Sequence, residues 1–346
     1  RDGSTAQHNI SVTGGNKLTK YFLSGNFYDQ KGIVKNSGMK RYSVRANVDQ
    51  ELSKFVKTGI NLTFSRIDNS NTQLGGDQFE NSGIIRAAMQ QGPHIPAIDE
   101  EGNYPINPQL ATQPNPYSLL TITDQGRIER LLGNFYVDIT PIKDLTVKLK
   151  AGMDRGYTIR QNYLPKTTLH GALENGRASI AKADNDHYLL EATGTYSKQL
   201  TNDHKFDMLL GVSQEKFVTR GSSVGASGFI TDAFLWNNLN AATLQLPSTS
   251  YQAKSTLISY FARLNYNYKG RYLFTFNARR DGAGVFAVNN KWGFFPSVAV
   301  GWNVAEEPFF GSLKNTISQL KFRVSYGQTG NATLVGNSNA FAAYSA

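Results

Sequence analysis

The chain contains no cysteine. Disulfides are therefore excluded, but the absence does not separate an oxidising envelope from the cytosol. No apolar run approaches the about 18 residues that a membrane-spanning helix requires, so any span of a membrane would have to be made by strands. The sequence starts at Arg1 without an initiator methionine, a basic leader or an apolar signal core, and we expect a secretory signal to lie upstream.

Two enzyme motifs are also missing, since there is no HExxH and no phosphate-binding loop. The five histidines never fall at metal-ligand spacing. We predict no catalytic residue, no metal and no cofactor. Two glycosidase carboxylates converging in a cleft cannot be recognised from sequence alone, so a secreted polysaccharide-active β-sandwich or propeller enzyme is kept as an alternative.

The net charge of +10 does not form a basic patch. The basic residues are spread over turns, loops and polar strand positions: Arg41, Arg45, Lys148, Lys150, Arg263 and Arg279. A nucleic-acid groove would combine clustered cations with stacking aromatics, and neither is present. We predict no nucleic-acid partner.

What the sequence does contain is alternation of apolar and polar residues. In residues 40–49, apolar side chains point to one face of the strand and polar side chains to the other, because strand side chains have a period of two. The apolar set is Tyr42, Val44, Ala46 and Val48, and the polar set is Arg41, Ser43, Arg45, Asn47 and Asp49. The same split recurs in residues 56–64, 131–139, 145–153, 258–266 and 298–304. Each run is long enough to cross a bilayer when tilted.

The connections between these runs alternate in length. The short ones are residues 14–17, 51–54, 141–144, 199–205, 269–270 and a helix-like 306–318; the long ones are 30–38, 69–126, 156–185, 221–254 and 282–291. Short periplasmic turns and long extracellular loops are typical of outer-membrane barrels. We therefore predict an all-β antiparallel transmembrane β-barrel of about twelve strands, and the mean hydropathy of −0.39 fits a barrel with a polar interior.

Several segments resemble the SusC/RagA family of TonB-dependent outer-membrane transporters, in the order in which that family has them. They are residues 21–49 (YFLSGNFYDQKG and onward), 263–286 (RLNYNYKGRYLFTFNARRDGAGVF), 292–310 (WGFFPSVAVGWNVAEEPFF) running into 320–331 (LKFRVSYGQTGN), and 83–104 (GIIRAAMQQGPHIPAIDEEGNY). The resemblance implies a barrel of about 22 strands closed by a plug. Residues 1–346 would then be a fragment of the barrel domain, without the plug and the C-terminal strands.

The resemblance also implies a function. Such transporters import oligosaccharides or peptides through the outer membrane, with a SusD-like surface lipoprotein as lid and TonB as the source of energy, acting through a region missing from this chain. A passive porin is a weaker alternative. The lipid of the outer membrane would be the remaining partner.

Two groups of candidate contact residues follow. Three loop aromatics lie among Asn, Gln, Pro and Thr, and could stack on sugar rings or could pack the loops together: Tyr104, Tyr117 and Trp236. Five polar strand residues would face the lumen and could contact plug, substrate or neighbouring strands: Arg41, Arg45, Asn47, Asn134 and Asp138.

Two further patterns are local. Tyr266, Tyr268 and Tyr272 surround the 269–270 turn, and with Trp302 and Tyr196 they predict an aromatic girdle at the membrane interface. The acidic run at Asp99 favours a solvated turn over half of a calcium site, because the regular ligand spacing of an EF-hand is absent.

Overall fold

The computed structural model describes residues 2–72 and 83–330. The strands in these ranges form a single antiparallel sheet. Twelve strands follow one another as neighbours in chain order, and the short β9 pairs only with β8. The strands are β1 (Ser4–Gly15), β2 (Thr19–Lys31), β3 (Gly38–Glu51), β4 (Val56–Ser70), β5 (Thr123–Ile142), β6 (Leu145–Leu164), β7 (Arg177–Gln199), β8 (His204–Phe229), β9 (Ala242–Gln245), β10 (Thr249–Tyr268), β11 (Tyr272–Ala283), β12 (Trp292–Asn303) and β13 (Lys321–Gly327).

In the part of the chain that the structure describes, the helices lie in the connections between strands. Two short α-helices, α1 (Ile84–Gln90) and α2 (Leu169–Leu173), lie in the second and third long connections. The 3₁₀ turns are Pro108–Leu110, Ser118–Thr121, Asp232–Phe234, Leu239–Ala241, Val288–Asn290, Val304–Glu306 and Pro308–Leu313. Among residues 2–72 and 83–330, no helix is long and apolar enough to cross a membrane.

The register aligns apolar with apolar and polar with polar across the sheet. Val48 lies opposite Ile60, Ile60 opposite Phe135, and Phe135 opposite Ala151. One residue along, a parallel row on the other face joins Asn47, Asn61 and Asn134. Because a one-residue slip would exchange the two faces, this register is fixed by the same alternation that predicted it.

Burial is inverted with respect to a water-soluble sheet. Apolar side chains of the first face are exposed, for example Leu190 at 60% and Val300 at 55%. On the polar face, Ser213 and Ser259 lie opposite each other and are buried. Only an apolar solvent makes such an exposed apolar face favourable, so this is the surface expected against lipid.

Buried apolar residues are found in the connections and at the strand ends that carry them. One cluster contains Tyr163, Phe229 and Trp236, a second contains Ile84 and Leu119, and a third is formed in the connection between β12 and β13. A β-sandwich would instead bury the apolar faces of two sheets against each other. The alternative of a sandwich enzyme therefore lacks its core in the described residues.

Strand lengths depart from the sequence-based prediction. Residues 156–185 and 221–254 were expected to be long loops, yet β6 continues to Leu164, β7 starts at Arg177 and β8 continues to Phe229. The reason is that the strands extend beyond the apolar band. There the lipid no longer selects an apolar side chain at every second position, so the alternation stops although the hydrogen-bonded ladder continues.

Candidate ligand site in the loops

Long connections meet at one end of the sheet because consecutive strands are antiparallel. They are residues 32–37, 71–122, 165–176, 230–248 and 284–291, whereas the connections at the other end are short except for 304–320. This matches the alternation predicted from sequence. The end with the long loops is the extracellular end of an outer-membrane barrel.

The first three long connections are fastened to one another. Ile84 and Leu119 of the second connection pack with Val34 of the first and Leu164 at the end of β6. Asn36 Nδ2 donates a hydrogen bond to the Leu120 carbonyl at 2.6 Å. These contacts give the described part of the loop layer a defined shape.

A second set of contacts joins the third and fourth connections. The Tyr163 hydroxyl donates to Asp232 Oδ1 at 2.7 Å, and Lys166 Nζ donates to the Ile230 carbonyl at 2.9 Å. Beneath them, Trp236 packs in the cluster of Tyr163 and Phe229 and is only 7% exposed. The fourth connection is therefore anchored on the extended ends of β6 to β8.

A cleft of about 250 Å³ opens between the second and third connections. Its lining includes Asn103, Tyr104, Asn115, Ser118, Lys166 and Thr167. Asn115 holds the wall, since its Nδ2 donates to the carbonyls of Ala97 (3.2 Å) and Pro105 (2.9 Å). The cleft combines an aromatic ring with amide, hydroxyl and ammonium groups, which suits a ligand rich in hydroxyl or amide groups.

The three aromatic candidates are not brought together. Tyr104 lines the cleft. Tyr117 is outside this lining and 45% exposed, with Lys35 Nζ 6.0 Å from the centre of its ring. The burial of Trp236 favours the packing alternative for that residue, because a ring enclosed by protein offers no face to a ligand.

Sequence reasoning missed Lys166 and Thr167 as cleft residues. They follow Pro165 at the start of the third connection, and the hydroxyl of Thr167 lies 2.9 Å from that of Thr121. Nothing in their spacing marks them, since the cleft wall is assembled from segments more than 40 residues apart in sequence (Thr121 to Thr167 is 46). Only the packing of the loops identifies them.

All five polar strand candidates lie on one face of the sheet. Asn47 and Asn134 flank Asn61, and Arg45 is opposite Thr63. The others are Arg41, whose guanidinium lies 5.3 Å from the centre of the Tyr28 ring, and Asp138, whose carboxylate lies 3.4 Å from Lys148 Nζ. In a closed barrel the polar face is the luminal face.

The outward face of the sheet carries charged residues between its apolar band and the long loops. A hollow of about 720 Å³ there includes Arg66, Asp68 and Arg127, and Asp68 accepts hydrogen bonds from Arg66 Nε and Arg127 Nε, each at 2.9 Å. They lie on the outward face because Arg66 is opposite Tyr42, and Arg127, opposite Asp68, is on the same face of β5 as Leu131. Their charges place them beyond the hydrocarbon, where water or lipid headgroups can solvate them.

The acidic run forms a turn. Asp99 Oδ1 accepts hydrogen bonds from the backbone amides of Glu101 (3.0 Å) and Asn103 (2.7 Å). Within the described ranges, no group of three or more His, Asp or Glu residues is arranged to hold a metal ion. The turn therefore leads directly into Asn103 and Tyr104, which line the cleft.

The fold and its faces define a class: an outer-membrane β-barrel with a structured extracellular loop layer. A family model described as "TonB dependent receptor-like, beta-barrel" matches residues 4–346. The chain belongs to this family. Its members are outer-membrane receptors and transporters rather than enzymes, and this assigns the chain to the outer membrane.

Individual relatives agree with this assignment. TonB-dependent receptor P3 of Formosa agariphila is 34% identical over 335 residues, which are 96% of this chain and 33% of the relative. TonB-dependent receptor SusC of Bacteroides thetaiotaomicron is 28% identical over 365 residues, covering 96% of this chain and 34% of SusC. The chain thus spans about a third of the length of these curated relatives.

Solved structures show the same fold. The structure of the RagAB peptide transporter superposes with a TM-score of 0.81 at 24% identity, covering 96% of this chain and 37% of that one. The unliganded ferric citrate transporter FecA superposes with a TM-score of 0.55 at 10% identity, covering 87% and 39%. The resemblance to SusC and RagA inferred from sequence is confirmed.

Proposed function

We propose that the chain forms barrel wall and ligand-contacting loops of an active importer for oligosaccharides or peptides too large for a porin. The observation that carries this proposal is the family match over residues 4–346 in a chain whose extracellular loops form a cleft around Tyr104. The relatives named SusC and RagAB support import rather than passive diffusion.

The proposed partners are a SusD-like lipoprotein above the loops and TonB in the periplasm. The packed loop layer supplies a firm surface on which a lid can close, because its connections are joined by apolar clusters and by the hydrogen bonds of Asn36 and Tyr163. Ligand held between lid, loops and plug would favour a closed state, and a pull by TonB would then open the plug.

Within this scheme Tyr104 is the proposed first contact and Tyr117 a second, outer contact. The luminal candidates are proposed to face the plug: Arg41, Arg45, Asn47, Asn134 and Asp138. Two buried polar atoms on this face, Arg41 Nε and Asn26 Oδ1, have no hydrogen-bond partner within residues 2–72 and 83–330. A plug or ordered water would satisfy both atoms.

The test uses the full-length natural protein with its lipoprotein partner, and measures binding of defined oligosaccharides and peptides by calorimetry. For the ligand class that binds, Tyr104→Ala is expected to lower the affinity by roughly tenfold, the loss of about 1.4 kcal/mol of stacking. Tyr104→Phe, which keeps the ring, should retain most of it. Tyr117→Ala is expected to have a smaller effect, since this ring lies outside the cleft.

Two results would count against the proposal. If neither ligand class binds the wild-type complex, the chain does not serve nutrient import. If binding occurs but Tyr104→Ala leaves it unchanged, import stands and the cleft is not the contact site.

A further inference from the structure

The connection between β12 and β13 differs from the other connections at the short-loop end. The others are brief turns, whereas this one runs from Val304 to Leu320 and contains two 3₁₀ turns. It begins two residues after Trp302, which lies opposite Tyr272 on the outward apolar face. The connection therefore starts next to two aromatic residues at the edge of the lipid-facing surface.

One side chain fastens the connection to this rim. Glu307 Oε1 accepts hydrogen bonds from the Tyr272 hydroxyl at 2.7 Å and from Trp302 Nε1 at 3.0 Å, and Arg271 lies 3.3 Å from Glu307 Oε2. Glu307 is only 7% exposed. Since both aromatic donors belong to the outward face, the connection is held on the outside of the sheet and away from the luminal face.

The connection has a small apolar core formed by its own residues. Val304, Ala305 and Phe310 are buried together and pack against Leu320. The Ala305 amide donates to the Leu320 carbonyl at 3.2 Å, which closes the segment into a compact unit. Its remaining apolar residues are consequently not needed for its core.

These remaining residues are large and exposed. Phe309 is 66% exposed, Leu313 49% and Ile317 42%. The connection that carries them is tied through Glu307 to Tyr272 and Trp302. Trp302 in turn lies beside the exposed Phe322 of β13, with 6.5 Å between the ring centres. The exposed apolar residues therefore belong to a segment fastened to the lipid-facing surface.

We propose that residues 304–320 form an interfacial anchor that inserts Phe309, Leu313 and Ile317 into the periplasmic leaflet of the outer membrane. The occupant is phospholipid, because the connection lies at the short-loop, periplasmic end and is tied to lipid-facing Tyr272 and Trp302. Exposed aromatic and aliphatic groups together with exposed charged groups suit an interfacial segment. The charged groups are Glu306 and Lys314, whose ionised groups are 3.2 Å apart. The inference does not depend on the imported ligand.

The test places a nitroxide at single cysteines in the full-length protein, reconstituted in phosphatidylethanolamine and phosphatidylglycerol vesicles. The chain has no cysteine of its own to interfere, and any elsewhere in the protein would be replaced by serine. Phe309→Cys, Leu313→Cys and Ile317→Cys are compared with Val300→Cys, a lipid-facing reference, and Asp203→Cys, a reference in an exposed turn. Folding of each variant is checked by its heat-dependent mobility in gels.

Collision with oxygen, which concentrates in lipid, is compared with collision with a water-soluble nickel complex. Labels at 309, 313 and 317 are expected to favour oxygen, as at 300, and the label at 203 to favour nickel. Preference for nickel at any two of the three positions would overturn the proposal, as would labels shielded from both reagents, which would indicate contact with protein. Because the three positions are independent, failure of one variant to fold leaves the other two to decide.

A matched pair of acid variants tests the fastening. Glu307→Gln weakens the acceptor of Tyr272 and Trp302, whereas Glu306→Gln removes only the surface pair with Lys314. In the background of the 309 label, Glu307→Gln is expected to shift the ratio of oxygen to nickel collisions toward water, and Glu306→Gln to leave it unchanged. Equal effects of the two variants would contradict the role of Glu307 as the tether.

Discussion

Tyr136 of β5 donates its hydroxyl hydrogen to Asp49 of β3 at 2.6 Å, across the intervening strand β4. The ring can make this reach because Gly59 lies beneath it: a Cβ at residue 59 would be 2.4 Å from Tyr136 Cε1 and 2.5 Å from Asp49 Oδ1. Three strands are thereby joined on the polar face by one side chain. The contact between Tyr136 and Asp49 therefore requires glycine at position 59.

Gly59→Ala is therefore expected to displace the Tyr136 ring and to break its bond to Asp49. The expected loss in the free energy of unfolding is about 1–3 kcal/mol, the range for overpacking a filled site. The measurement is urea unfolding of the full-length protein in lipid vesicles. Gly194→Ala is the matched control, because a Cβ there meets nothing within 4 Å. Equal stability of the two variants would show that the packing of the Tyr136 ring over Gly59 does not contribute to the free energy of unfolding.

The outward face gives a second prediction. Ile60→Arg or Val300→Arg puts a charge where the account places hydrocarbon, and is expected to cost roughly 2–4 kcal/mol or to prevent assembly. Asn61→Arg, one residue away on the polar face, is expected to stay within about 1 kcal/mol. Folding of the three variants into vesicles, measured by protease protection and gel mobility, checks both expectations. Normal insertion of the Ile60 and Val300 variants would contradict the assignment of the lipid face.

The tether of the last connection gives a prediction on pH. Hydrogen bonds from Tyr272 and Trp302, together with the charge of Arg271, hold the pKa of the Glu307 carboxyl below its ordinary value. A carboxyl whose pKa is lower in the folded state stabilises the fold above its unfolded pKa, and this contribution is lost as the pH falls through the lowered, folded pKa. We expect the connection to loosen at acidic pH.

The measurement is hydrogen exchange of residues 304–320 between pH 7 and pH 3, corrected for the intrinsic pH dependence of exchange. In wild type the protection should fall over the acidic part of this range. In Glu307→Gln it should be low throughout and nearly independent of pH, while Glu306→Gln should behave as wild type. An unchanged acid response in Glu307→Gln would assign the effect to another group.

Sequence reasoning succeeded where lipid imposes a pattern. The alternation around Val44, Ile60 and Val300 predicted the strands, their order and which face is apolar, because every second residue must meet hydrocarbon. It also predicted the alternation of short and long connections. These features depend on local periodicity, which a single sequence displays.

It failed where structure arises from long-range packing. The polar extensions of β6 to β8 and the short β9 carry no alternation, so they were assigned to loops. The cleft joins Tyr104 to Lys166, and the burial of the loop residue Trp236 depends on Tyr163 of β6 and Phe229 of β8. Neither relationship is encoded in the spacing of residues along the chain.

A cysteine scan of residues 58–65 in β4 measures whether the apolar face of this sheet lies against lipid. Each single-cysteine variant of the full-length protein is placed in vesicles and exposed to a thiol reagent confined to the hydrocarbon. Reaction is expected at residues 58, 60, 62 and 64 and none at 59, 61, 63 and 65. Uniform reaction, or reaction at the odd positions, would contradict it.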